Sequence, residues 1–204
     1  MHPWRARLHR WFAPVARRSP LSPNAISLIA LLLNAGAATL LYYGARKPIL
    51  FLVAIVVITI AGLADAFDGI VAREQQKETR YGDFLDHFAD RVSDLLLLGG
   101  WLIGNSVRIE LTTIAMIAVM LNGYIGTQIE ASWHERSYES VGRGEFVLAL
   151  VVYPIVSYIL ASNGWRDIRY AHFTAAEWMT FALLAFALLG IVQRLKMASR
   201  LGKS

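Results

Sequence analysis

No cysteine occurs among the 204 residues, which excludes disulfides, thiolate nucleophiles and thiolate metal sites. Charge is scarce as well: Asp, Glu, Lys and Arg make up 17% of the chain, against about 25% in an average soluble domain. Acidic residues are the fewer, 15 against 20 Lys and Arg, for a formal net charge of +5. No nucleic-acid recognition motif accompanies that basic balance, so it reads as membrane topology and contact with anionic lipid. A repeat of 20 to 50 residues is also lacking, and polar loops are short except at about Glu130 to Glu145. One domain over residues 1–204 is therefore predicted.

What the chain has in abundance is apolar surface, 56% hydrophobic residues and a mean hydropathy of +0.45. Apolar stretches recur at about Ile26 to Gly44, Ile49 to Ala66, Val92 to Gly104, Ile109 to Ile129, Phe146 to Ala161 and Ala175 to Val192. Most approach the roughly 20 residues that span a bilayer. The third does so once its polar start from Gly82 is included. These stretches predict an all-α integral membrane bundle of six transmembrane helices over residues 21–195. Residues 1–20 read as an interfacial amphipathic helix, with Trp4, Leu8, Trp11, Phe12 and Val15 at helical spacing beside Arg5, Arg7, Arg10, Arg17 and Arg18. Trp101, Trp133, Trp165 and Trp178 are expected as interface anchors.

Orientation follows from the loop cations. With the N-terminus cytoplasmic, that side holds the five N-terminal arginines, Arg73, Lys77, Arg80, Arg136, Arg143, Arg194, Lys196, Arg200 and Lys203. The other side holds only Arg46, Lys47, Arg108, Arg166 and Arg169. A multi-pass protein with both termini and the acidic cluster at the cytoplasmic face is predicted.

Six of the seven aspartates fall between Asp65 and Asp94. Asp65 and Asp68 lie three apart at the end of the second apolar stretch, while Asp83, Asp86, Asp90 and Asp94 step by three, four and four. Each set projects from one helical face. The short connection Glu74 to Tyr81 predicts that the second and third helices are antiparallel neighbours whose acidic stripes meet. An ionised Asp at mid-bilayer costs roughly 2.5 to 3.5 kcal/mol, so four facing lipid would cost about 10 kcal/mol. A divalent cation resolves that cost. Carboxylates without thiolates suit Mg²⁺, Mn²⁺ or Ca²⁺, and Mg²⁺ characteristically shares its remaining positions with substrate phosphates. Gly69 leaves the backbone approachable beside Asp68, Ala72 keeps that face open and Arg73 supplies a cationic fork. Small residues also serve close helix packing. His87 follows Asp86 and points about 100° away from it on a helix, which favours packing or a hydrogen bond over ligation. Asp83 and Asp94 are expected to pair with Arg80 or Arg91.

Asp65-Ala66-Phe67-Asp68-Gly69-Ile70-Val71-Ala72-Arg73, then eight residues to Gly82, three to Asp86 and three to Asp90, resembles the CDP-alcohol phosphotransferase signature at all eight fixed positions. An accidental match is on the order of one in a hundred million per chain. The six-helix hydropathy and Ser22-Pro23-Asn24 before the first helix resemble that family too. The resemblance implies a phospholipid-synthesis transferase that moves a substituted phosphoryl group from a CDP-linked lipid such as CDP-diacylglycerol to a small alcohol, releasing CMP. It implies Asp65, Asp68 and Asp86 as ligands of Mg²⁺ or Mn²⁺, and Asp90 as a further ligand and general base. Pro23, Asn24, Gly69, Ala72, Arg73, Thr79 and Gly82 would line the CDP-lipid, and a homodimer is common in the family.

Thr79 to Asp94 looks most like the phosphatidylinositol-phosphate synthase branch. That branch grips its acceptor's phosphate with basic residues around helices 4 and 5, where this chain reads Gly123-Tyr124-Ile125-Gly126-Thr127-Gln128 and Gly142-Arg143-Gly144-Glu145-Phe146. His134, Arg136 and Arg143 remain as candidate acceptor contacts, and a less anionic acceptor gains weight. One alternative is a CDP-amino-alcohol phosphotransferase acting on a lipid alcohol. Another is a cation-coupled transporter, which would usually place its acids at mid-bilayer within inverted repeats rather than at one edge.

Overall fold

The computed structural model describes residues 11–133 and 143–202. A short helical segment at 11–16 precedes six long helices: α1 Pro23–Gly44, α2 Ile49–Glu74, α3 Arg80–Gly104, α4 Ile109–Trp133, α5 Arg143–Ser162 and α6 Ala175–Leu201. Their starts are chemically marked. Ser22 Oγ accepts the Ala25 N–H with Pro23 in the first turn of α1, and Thr79 Oγ1 accepts the Gly82 N–H at the start of α3. At α6, Thr174 and Glu177 form a reciprocal capping box.

Among the described residues, four helices, α1, α2, α4 and α6, are long and apolar enough to cross a membrane. The apolar part of α5, Phe146–Ser162, is shorter, and α3 carries its four aspartates in its first half. The apolar surface is turned outward: α2 has a mean hydropathy of 2.6 over its span, yet only 17% of that window is buried by the rest of the protein. Val53, Val56, Ile60 and Leu63 stand exposed along it. Such a surface requires lipid, so this is an integral membrane protein.

The packing departs from the sequence expectation in one respect that matters for the site. α2 and α3 are not packed side by side; α1 packs along both and forms the wall behind the space between them. The acidic stripes still face each other across that space, as expected, and α1 backs it with the Ser27 hydroxyl. Gly100 and Gly104, one turn apart on α3, let the backbones of α1 and α3 approach closely at Ala38 and Leu41. The main apolar core lies toward the other end, around Leu41, Phe51, Leu97, Trp101, Leu102 and Leu183. Trp101 is thus no interface anchor: it is 2% exposed, and its Nε1–H donates to Ser157 Oγ at 3.0 Å. Its place on the inner face of α3, against Tyr153, overrides the usual preference of tryptophan for the headgroup layer. Trp133, Trp165 and Trp178 are exposed as expected.

Two features at the far end lack a sequence forecast. A two-residue ladder pairs β1 Arg169–Tyr170 with β2 Phe173–Thr174, turning through Ala171 and His172, both with positive φ. That is the backbone twist of a tight hairpin, made here without the usual Gly or Asn. Beside it, Arg108 donates to Glu177 Oε1 at 2.6 Å and lies 4.4 Å over the Phe173 ring, closing α4 onto α6.

Candidate metal and transfer site

The ends of α1, α2 and α3 that meet near Ser22, Glu74 and Arg80 carry the acidic cluster. Carboxylate oxygens of Asp65, Asp68 and Asp86 lie within 4.8 Å of one another. A second set, Asp86, His87 and Asp90, satisfies the same limit, so Asp86 belongs to both. Within each set the donors stand at a spacing that a divalent ion can bridge, and the oxygen-rich set Asp65, Asp68 and Asp86, drawn from two helices, fits Mg²⁺ or Mn²⁺. The sequence reading put His87 aside because of its angular offset. The ring nevertheless reaches the cluster, because successive helical residues diverge at Cα while a long side chain can swing back. His87 Nε2 also lies 3.9 Å from Asp83, so Asp83 faces an imidazole rather than the predicted arginine. Asp94 meets the expectation, 3.0 Å from Arg91.

Asp68 is the deepest member, 6% exposed. Ser27, on α1, donates to Asp68 Oδ2 at 2.5 Å. This contact between residues 41 apart is a functional feature the sequence reading missed; its only local signal is that Ser27 shares a helical face with Pro23 and Asn24.

The residues expected to line the CDP-lipid gather at the same end. A methyl group on Gly69 would meet only the Arg73 guanidinium, at 3.5 Å, so that face of α2 is open and Arg73 folds back over it. A methyl group on Gly82 would lie 3.2 Å from Thr79 Oγ1 and 3.3 Å from Asn24 Oδ1, which brings those three residues together. Ala72 lies half-buried one turn past Asp68. Pro23 and Thr79 also have visible structural duties at the helix starts. Among the acceptor candidates, His134, Arg136 and the Arg143 side chain lie outside the described residues.

Two arginines from different helices, Arg91 of α3 and Arg194 of α6, come to one glycine-lined face of α4. Arg194 of α6 is 9% exposed and donates to both the backbone and side-chain oxygens of Asn122, while its Nε has no hydrogen-bond partner. Gly126 makes room for it, and Gly123 makes room for Arg91. The glycines that stand on α4 where basic residues were sought thus admit arginines from α3 and α6.

The N-terminal segment braces the same end. Gln75 Nε2 donates to the carbonyls of Ala16 and Ser19 at 2.9 and 3.0 Å, and Arg17 lies 2.6 Å from Glu74. Phe12 meets the Phe67 ring edge-on at 5.8 Å, between the first two aspartates.

A sequence profile described as CDP-alcohol phosphatidyltransferase matches residues 20–192. The chain belongs to that family. Curated relatives include an archaetidylinositol phosphate synthase from Pyrococcus horikoshii, 31% identical over 51% of this chain and 53% of its own length, so the match spans about half of that relative. A phosphatidylinositol phosphate synthase from Corynebacterium glutamicum is 30% identical over 92% of this chain and 83% of its own length. In fold, the chain resembles the crystal structure of the Mycobacterium tuberculosis phosphatidylinositol phosphate synthase with CDP-DAG bound, with a TM-score of 0.69, 22% identity and coverage of 92% of both chains. A second structure of that protein, in complex with manganese and citrate, aligns with a TM-score of 0.68 at 23% identity, covering 91% of this chain and 87% of that one.

Proposed function

We propose that this transferase moves the phosphatidyl group of a CDP-linked lipid such as CDP-diacylglycerol to a small alcohol, with CMP leaving. The observation that carries this reading is the convergence of Asp65, Asp68 and Asp86 from two helices within 4.8 Å, beside the open face of Gly69 and the Arg73 guanidinium. Asp65, Asp68 and Asp86 would hold Mg²⁺ or Mn²⁺, with Asp90 reaching the same centre. When bound, the ion would offset the carboxylate charge and polarise the pyrophosphate. Arg73 would pair with phosphate oxygens, and Gly69, Ala72, Gly82, Asn24 and Pro23 would leave room for the nucleotide, with the Thr79 hydroxyl at its edge. Asp90 would take the proton of the acceptor hydroxyl as that oxygen attacks the lipid-side phosphorus in line. No covalent enzyme intermediate is needed.

The acceptor reading changes with the structure. The missing basic residues on α4 favoured a weakly charged acceptor, but Arg91 and Arg194 bring two guanidinium groups to the glycine-lined face of α4, and Arg194 Nε is buried without a partner. A phosphorylated small alcohol fits that chemistry better than a free polyol or amino alcohol. The names of the relatives agree with it.

The remaining expectations form one picture. All six helices would cross the membrane as one domain, with the polar half of α3 turned inward. Residues 1–20 would lie as an amphipathic helix at the interface, and the site and both termini would face the cytoplasm, where Lys and Arg concentrate. A homodimer is the expected assembly. Function is tested by CMP release from CDP-diacylglycerol with Mn²⁺ and a panel of inositol phosphate, glycerol phosphate, inositol, serine and ethanolamine. A phosphorylated acceptor should win; preference for serine or ethanolamine would overturn the acceptor assignment, and absence of CMP release with every acceptor would overturn the donor.

A further inference from the structure

Ser27 and Asp68 are each 6% exposed, so no bulk water competes for the hydrogen bond between them. The Ser27 hydroxyl has one hydrogen and two acceptors in reach, Asp68 Oδ2 at 2.5 Å and the Pro23 carbonyl at 3.1 Å. The shorter contact, to the charged acceptor, is the stronger. A carboxylate held at one oxygen cannot rotate freely, and its most accessible mode of ligation uses the other oxygen alone. Mg²⁺ and Mn²⁺ accept single-oxygen carboxylates in a six-coordinate shell, whereas Ca²⁺ takes up to eight oxygens and readily uses both of a carboxylate's.

We propose that Ser27 is a positioning residue of the metal centre, holding Asp68 to ligation through one oxygen and thereby biasing the site toward a small six-coordinate ion over Ca²⁺. The inference rests on the metal-site reading given above and concerns a residue outside the aspartate signature. Ser27 touches neither the ion nor the substrate; it acts through Asp68.

The test is metal binding by the purified full chain, with free Mn²⁺ followed by paramagnetic resonance and Ca²⁺ by competition. Ser27→Ala should weaken Mn²⁺ binding about tenfold, the low end of the effect of removing a residue that orients a ligand, and Ca²⁺ binding by less than about threefold. Ser27→Thr and Ser27→Val have nearly equal volume and differ in the hydroxyl, so packing costs cancel between them: Thr should bind Mn²⁺ like the wild type and Val like Ala. In an Asp68→Ala background, Ser27→Ala should produce no further loss. Unchanged Mn²⁺ binding in both Ala and Val variants, equal losses for Mn²⁺ and Ca²⁺, or a full loss persisting in the Asp68→Ala background would each overturn the proposal. A wild-type protein that binds no Mn²⁺, or binding indifferent to Asp65→Asn and Asp86→Asn, would instead overturn the metal-site reading itself.

Discussion

Gly100 presses against the α1 backbone at Ala38: a methyl group in place of its hydrogen would lie 2.3 Å from the Ala38 carbonyl oxygen. Backbone cannot swing aside as a side chain can, so this contact sets the distance between α1 and α3. Gly100→Ala is expected to destabilise by about 1–3 kcal/mol through overpacking, read by thermal unfolding in detergent. Gly99→Ala is the control. Its methyl group would meet Met116 Cε at 3.5 Å, an ordinary contact, so a helix-propensity gain of up to about 1 kcal/mol is expected, and a loss beyond about 0.5 kcal/mol there would contradict this explanation.

The three carboxylates that converge should behave as one unit. Asp65→Asn, Asp68→Asn and Asp86→Asn are each expected to weaken Mn²⁺ binding, measured by titration of the purified protein, and to remove turnover. Combining two of them should cost far less than the product of the single effects, because groups that hold one ion are not additive. Independent, multiplicative losses would argue against a shared centre.

Arg194 should matter for the acceptor more than for the donor. Loss of a charge-assisted hydrogen bond of about 1.5–3 kcal/mol corresponds to roughly a 10- to 150-fold rise in KM for a phosphorylated acceptor in Arg194→Gln. KM for CDP-diacylglycerol should stay within about threefold, since Arg73 rather than Arg194 is proposed to serve the donor phosphates. Steady-state kinetics with each substrate varied in turn would show the split, and equal changes for both substrates would point to a merely structural arginine.

The N-terminal segment should be coupled to the site. Gln75→Ala removes two hydrogen bonds to the carbonyls of Ala16 and Ser19, worth about 1–3 kcal/mol together. Lower thermal stability accompanied by reduced turnover is expected. Unchanged turnover despite the lost stability would show that the segment braces the fold without serving the transfer site.

The aspartate cluster was legible because its information is local: the 30 residues from Asp65 to Asp94 hold both stripes, and helical periodicity alone brings each to one face. Apolar runs likewise announced the long helices, including α3 once its polar start was counted. What escaped is non-local. Nothing near Ser27 signals a partner 41 residues away, and Arg194 looks like any cation near a helix end until Gly126 and Asn122 are seen around it. The gap between α2 and α3, backed by α1, was hidden because a short connection favours adjacent helices but does not say how closely they pack. Trp101 carries the same amphipathic ring as the exposed tryptophans, and only its inner face on α3 distinguishes it. The hairpin at Ala171 and His172 lacks the glycine or asparagine that usually marks positive φ.

The central claim is that a carboxylate-held divalent ion and an Asp90 base carry phosphatidyl transfer. Release of labelled CMP from CDP-diacylglycerol, with the best acceptor from the panel, tests it directly in wild type and Asp90→Asn, each with Mn²⁺ and after chelation. The wild type should release CMP only with metal, and Asp90→Asn should lose about 10²- to 10⁴-fold in turnover while still binding CDP-diacylglycerol in the presence of Mn²⁺. Full turnover in Asp90→Asn, or CMP release by the wild type undiminished by chelation, would contradict it.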